Sequence, residues 1–204
     1  MKFRALVACL TLMGLALNSR ADDLQKMAPE RSQLYAQLLS DQFEKDIQDR
    51  QVKFVVDAAN ASGLRSGQDG IIVVPARNLV EESNNAELLT PNGAALGYLF
   101  LSPCFTPIID GKAVDMSKLR RLNLPDGREV ICLLLTVKRT NGDDWRMYGF
   151  GNEKTPLVNS SFAQASDTAG SQISIQVTGA KDKVANLDVT VFGKFIASFK
   201  IATK

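Results

Sequence analysis

Apolar residues recur at spacings of three and four in the stretch PERSQLYAQLLSDQFEKDIQDR, residues 29–50. This period is typical of one face of a helix. Pro29 fits a first helical turn, and Glu30 suits the positive end of the helix dipole. We expect the apolar face to pack on the rest of the domain, and the alternative is a partner-binding helix. The predicted face consists of Leu34, Tyr35, Leu38, Leu39, Phe43 and Ile47.

The pattern after residue 50 changes to alternation and short apolar runs, which are typical of strands. Turn signals at Pro125-Asp126-Gly127 and at Asn141-Gly142 separate three of these runs and predict a meander. Its middle run, residues 130–137, is apolar on both faces except at Thr136, so we expect a central strand covered on both sides. Further strands are predicted in QVKFVVDA (51–58, with a continued helix as the alternative), GIIVVP (70–75) and LGYLFLSP (96–103).

The C-terminal segment has apolar residues at nearly every odd position from Leu187 to Ile201. Either a two-residue hairpin at Gly193-Lys194 or one long strand bent at Gly193 fits this pattern. Because the apolar residues stay at odd positions on both sides of Gly193, we predict the bent strand.

Many short strands after one helix indicate a mainly β protein: an antiparallel β-sandwich or open barrel preceded by an N-terminal amphipathic α-helix. The absence of alternating strands and helices argues against a parallel α/β sheet. We divide the chain into a cleaved signal peptide (1–21), a helical segment packed on the domain (22–62) and a β-rich domain (63–204).

The first 21 residues have the features of a bacterial signal peptide. Two positive charges precede an apolar run from Ala5 to Leu17, and Ser19-Arg20-Ala21 fits the small-x-small cleavage pattern. The run is too short to span a bilayer. We therefore expect export to the periplasm or the medium, with no integral membrane segment after cleavage.

Charge and composition exclude several functions. The chain has 24 Lys and Arg against 22 Asp and Glu, and removing Lys2, Arg4 and Arg20 leaves 21 against 22, which gives no support for nucleic-acid binding. The chain contains no histidine, which removes Ser-His-Asp and Cys-His nucleophiles and histidine-ligated metals. No glycine-rich phosphate or dinucleotide motif is present, so we expect no cofactor.

Two cysteines, Cys104 and Cys132, remain after cleavage. In an oxidising compartment they are a candidate disulfide. The alternative is that both are small buried apolar residues, since Cys132 lies inside an apolar strand.

Arg146 and Tyr148 are the weak candidates for contact with a ligand or partner. On a strand they share the face opposite to Trp145 and Met147, which we expect in the core. Acidic groups at Asp143-Asp144 and at Glu81, Glu82 and Glu87 favour turns or solvated loops over a catalytic pair.

Export and a β core are indicated by the sequence, whereas catalytic groups are not. The sequence therefore favours an exported envelope protein that is a non-catalytic binding module for an unknown protein or small ligand. Two alternatives stay open. One is a glycan hydrolase that relies on carboxylates. The other is a structural or inhibitory protein that acts through its N-terminal helix.

Overall fold

Two antiparallel sheets and one helix make up the residues that the computed structural model describes: 24–46, 52–77, 86–141, 144–165, 174–181 and 184–203. The helix α1 spans Pro29–Asp46. The strands are β1 (Gln25–Lys26), β2 (Ser62–Ser66), β3 (Asp69–Pro75), β4 (Ala94–Leu101), β5 (Phe105–Ile109), β6 (Lys112–Ala113), β7 (Arg120–Asn123), β8 (Glu129–Arg139), β9 (Trp145–Phe150), β10 (Val158–Ser161), β11 (Ala163–Gln164), β12 (Ser174–Lys181), β13 (Val184–Val191) and β14 (Phe195–Thr203).

The strands pair only with antiparallel neighbours in the described residues. The first sheet has the order β1-β2-β3-β4-β8-β9-β10, with β7 also beside β8. The second has the order β12-β13-β14-β5-β6, with β11 also beside β14. The fold is a β-sandwich preceded by one helix, as the sequence predicts. No helix among the described residues is long and apolar enough to cross a membrane.

Strand β8 is central and covered on both faces, which confirms that part of the prediction. Ile131 and Leu133 belong to the core between the two sheets, whereas Cys132 and Leu134 belong to a second core beneath the helix. The predicted pairings of β7 with β8 and of β8 with β9 both form, but the three strands do not lie side by side as in a meander. β4 pairs with one edge of β8, while β7 and β9 share the other edge, because this 11-residue strand is long enough to pair with two short strands in succession.

The helix packs on the outer face of the first sheet, and the prediction of its buried face is correct only in part. Leu39 and Phe43 are buried there and Tyr35 packs on the same core, while Ile47 lies outside the described residues. Leu34 is 45% exposed and lies on the side of the helix opposite to the buried stripe. The sheet beneath presents Tyr98 and Phe100, and Phe43 of the helix packs on both rings. The buried stripe consists of Ser32, Ala36, Leu39, Ser40 and Phe43.

Residues 52–57 do not form the predicted strand. Val56 makes one isolated bridge with Ala76, and the backbone N–H of Asp57 donates to the carbonyl of Pro75 at 2.7 Å. The alternating apolar side chains still pack inward: Phe54 lies 4.7 Å from Tyr98 between ring centroids. The alternation of apolar residues in this segment therefore reflects the burial of its side chains, although the segment is not a strand.

The predicted bent strand at Gly193 is wrong, because β13 and β14 form a hairpin. Phe192 and Gly193 have φ angles of 53° and 65°, and the N–H of Lys194 donates to the carbonyl of Val191 at 3.1 Å. Two successive positive φ values are typical of a hairpin turn. Val191 pairs with Phe195, so paired residues have the same parity, and odd positions face the same core in both strands.

The candidate disulfide is not formed. Cys132 is 1% exposed and lies in the core beneath the helix, whereas Cys104 is half-buried against the core between the sheets. The first sheet separates these two cores, which explains why the thiols do not meet. Cys132 is thus a small buried apolar residue, in agreement with the alternative.

Candidate functional site

Strands β8, β9 and β10 place two rows of three side chains on the outer face of the first sheet, of which all but the buried Thr136 reach the surface. Tyr148 pairs with Thr136 on one side and Asn159 on the other, and Arg146 pairs with Lys138 and Ser161. Directly paired residues point to the same face, with Cβ atoms about 4.5–5.5 Å apart. We call this surface the β8–β10 face; it consists of Lys138, Arg146, Tyr148, Asn159 and Ser161.

The β8–β10 face lies beyond the part of the sheet that the helix buries. Tyr148 is half-buried and packs on Phe150, with ring centroids 6.4 Å apart, at the border of the core beneath the helix. Asn159 and Ser161 are exposed, and the side chain of Arg146 is 35% exposed. Trp145 and Met147 are buried on the opposite face, so the predicted division of β9 is correct.

Two cations lie side by side at this end of the sheet, and one of them, Arg146, forms an ion pair with Asp144 at 3.3 Å. Lys138 and Arg146 are direct neighbours across β8 and β9, and Lys138 Nζ donates to the carbonyl of Pro91 at 3.4 Å. On the other face of β8, the guanidinium of Arg139 lies 5.7 Å from the centroid of the Trp145 ring. Such a cluster attracts acidic groups.

Asp144 is a turn residue. Its carboxylate accepts hydrogen bonds from Thr140 Oγ1 at 2.6 Å and from Arg146 Nε at 3.3 Å. The Thr140 hydrogen bond, with a smaller contribution from Arg146, lowers the pKa of Asp144 below its ordinary value of 3.8. The bonds agree with the turn interpretation, and they hold the group ionised.

The other acidic candidates are not placed by the described structure. Asp143, Glu81 and Glu82 lie outside the described residues, as does the predicted signal peptide, and the side chain of Glu87 is also outside them. In the described part of the chain, no group of three or more His, Cys, Asp and Glu residues is arranged to hold a metal ion.

A cleft of about 560 Å³ lies at the opposite end of the first sheet. It is bordered by β1, β2, the start of α1 and the outer strand β12, and its lining among the described residues contains Lys26 but no acidic side chain. This cleft could not be predicted from the sequence, because its walls come from segments more than 100 residues apart. No local pattern marks such a meeting of distant segments.

No protein-family model matches the chain, and comparisons with curated proteins and with solved structures also find no match.

Proposed function

We propose that the protein is an exported bacterial envelope protein, periplasmic or secreted, that acts as a non-catalytic binding module. Its partner at the β8–β10 face is an acidic segment of another protein. The leader-like first 21 residues support export, and the absence of histidine together with the two-layer β core supports binding over catalysis.

The juxtaposition of Arg146 and Tyr148 on rigid strands carries the proposal. Both side chains are half-buried on neighbouring positions of one strand face, so packing restricts their motion while part of each surface stays accessible. Arginine and tyrosine are enriched among residues that contribute most to protein interfaces. Lys138 adds a second cation beside Arg146, which makes an acidic partner the complementary one.

The carboxylate-hydrolase alternative has less support. A glycosidase acid needs a raised pKa and a second carboxyl group about 5–10 Å away. The pKa of Asp144 is lowered instead, and the cleft has no acidic lining among the described residues.

The helix alternative is restricted by packing. Ala36, Leu39 and Phe43 are engaged by the domain's own core, so a helix-borne contact would use the opposite side. Leu34, exposed on that side, is the residue to replace with glutamine in its test.

Capture with charge-reversed baits tests the proposal. Residues 22–204 are immobilised and exposed to envelope extract of the native host, and bound proteins are quantified by mass spectrometry. We expect Lys138→Glu/Arg146→Glu to lose a stoichiometric partner that Arg65→Glu/Lys200→Glu retains. The control changes the net charge equally at two exposed residues on other strands.

Salt and the leader give two further readouts. Binding should weaken as ionic strength rises from about 0.05 to 0.5 M, because exposed charges are screened. Equal capture by both double variants would overturn the proposed face. Intact mass of the protein expressed with its own leader should show a chain that starts at Asp22.

A further inference from the structure

Among the described residues, the outer edge of strand β12 is covered by a side chain and not by a strand. In the described residues β12 is the terminal strand of the second sheet and pairs only with β13. The backbone N–H of Val177 points away from β13 and donates to Ser62 Oγ at 3.1 Å. Ser62 belongs to the first sheet, so its hydroxyl takes the position of a missing strand's carbonyl.

The same edge carries a second donor. In an antiparallel pair, residues alternate between those that bond the neighbour and those that face outward. Since the N–H of Val177 faces outward, the N–H of Ile175 faces the same way. Both side chains are buried, which holds this backbone in place.

The cleft lies directly on this edge. Gln176 and Val177 form one wall, and Ser62 and Leu64 of β2 lie across from it. β12 packs over β2 and β3, whereas the first sheet continues one strand further to β1. A strand added beside β12 would therefore cover the part of the first sheet that the second sheet leaves open.

We propose that the outer edge of β12 binds an extended peptide segment of a partner protein, which adds to the second sheet as a further strand. This site is separate from the β8–β10 face, at the other end of the first sheet, and goes beyond the proposed function. Strand addition supplies affinity through backbone hydrogen bonds and specificity through alternate side chains.

The cleft lining defines the peptide. Leu24 and Leu64 offer apolar contacts, and Lys26, which pairs with Leu64, faces the same side of the sheet. The inward residues of the bound segment are thus apolar with one acidic member placed near Lys26, and the outward residues are polar. Ser62 keeps the edge satisfied until the peptide carbonyl replaces its hydroxyl.

A phage-displayed library of random 12-residue peptides tests the proposal on the mature chain and two variants. Val177→Pro removes the outward N–H without touching a hydrogen bond to β13, a position where proline is tolerated. Val177→Ala is the matched control, which shortens the same side chain but keeps the donor. Near-ultraviolet circular dichroism of the buried Trp145 verifies that each variant folds.

We expect enrichment of alternating apolar and polar peptides with one acidic residue. They should bind Val177→Ala, and lose at least about tenfold in affinity on Val177→Pro. Ser62→Ala should bind them about fivefold more tightly, because the competing hydrogen bond is gone. Should Val177→Pro fail to fold, peptide titration of the ¹⁵N-labelled native chain decides, and the amide signals of Ile175 and Val177 should shift.

Three results would overturn the proposal: no enrichment, equal binding to both Val177 variants, or unmoved Ile175 and Val177 amides. Decanoate serves as a small-molecule probe in the same titration. If decanoate alone shifts the signals of Val177 and Lys26, the cleft holds an apolar acid and strand addition is wrong.

Discussion

The ring of Phe43 packs edge-on against the ring of Tyr98, with centroids 4.8 Å apart, and so fastens the helix to the first sheet. Phe43 also contacts Phe100 edge-on at 5.8 Å. Replacing Phe43 with alanine should lower the free energy of unfolding by about 3–5 kcal/mol, because it leaves a cavity in the core. Urea unfolding measures this loss.

Leu34→Ala on the same helix is the control for Phe43→Ala. Since Leu34 faces solvent, we expect a change within about 0.5 kcal/mol. Similar losses for both variants would contradict the observed orientation of the helix.

Gly97 should not tolerate a side chain. It lies at an irregularity in the pairing of β4 with β8, has a φ of 148°, and a Cβ there would be 2.2 Å from the carbonyl oxygen of Val74. Gly97→Ala should therefore destabilise the protein by about 3 kcal/mol, combining backbone strain and overpacking.

The comparison for Gly97→Ala is Gly67→Ala, since Gly67 also has a positive φ but open space around the added atom. That change should cost about 1 kcal/mol from strain alone. A Gly97 variant no less stable than the Gly67 variant in thermal unfolding would contradict the close approach.

Thiol labelling should distinguish Cys104 from Cys132 in the native protein. Burial raises the pKa of the Cys132 thiol well above its ordinary value of 9.0, so it stays protonated at pH 8. Only the thiolate reacts, and its population falls tenfold per pKa unit. We expect iodoacetamide at pH 8 to modify Cys104 at least about tenfold faster, measured by peptide mass spectrometry.

The labelling of the unfolded protein is the reference, in which both cysteines should react at similar rates. A bridged peptide containing Cys104 and Cys132, or equal native rates, would contradict the placement of the two thiols in separate cores.

Asp144 should become easier to protonate when Thr140 is replaced. Its folded pKa is lowered chiefly by the Thr140 hydroxyl, so its contribution to stability is present above pH 3.8 and is lost as the pH falls through the folded pKa. Thr140→Val should raise the pKa of Asp144 toward 3.8, as followed by NMR titration of the carboxyl carbon.

Asp115 provides an internal reference in the same titration. Its pKa is lowered by hydrogen bonds from Ser117, which Thr140→Val leaves in place. An unchanged Asp144 together with an unchanged Asp115 would show that Thr140 does not hold the turn carboxylate.

Local sequence patterns predicted the strands themselves better than the arrangement of the strands in the sheets. Alternation on β9 correctly separated Trp145 from Arg146, and two-sided apolarity correctly made β8 central. Parity could not separate a hairpin from a bent strand at Gly193, because both keep odd residues on one face. Only the positive φ of Phe192, a residue with no bias toward that conformation, distinguishes them.

The buried stripe of the helix coincides with the predicted face at Leu39 and Phe43 but not at Leu34. Hydrophobicity favours Leu34 over Ser40, yet Ser40 is buried and Leu34 is exposed, because the packing of Phe43 on Tyr98 and Phe100 sets which side of the helix faces the sheet. Tyr98 and Phe100 lie on β4, far along the chain from the helix. The hydrophobic pattern of the helix therefore contains no information about them. The cleft at Ser62 and Val177 was missed for the same reason.

Strand β8 contributes side chains to both cores. Ile131 and Leu133 are buried in the core between the sheets, and Cys132 and Leu134 are buried in the core beneath the helix. Consecutive residues of this strand therefore pack against different layers of the molecule. The helix layer and the second sheet each depend on the same backbone between them. We therefore expect the protein to lose both layers in one cooperative transition.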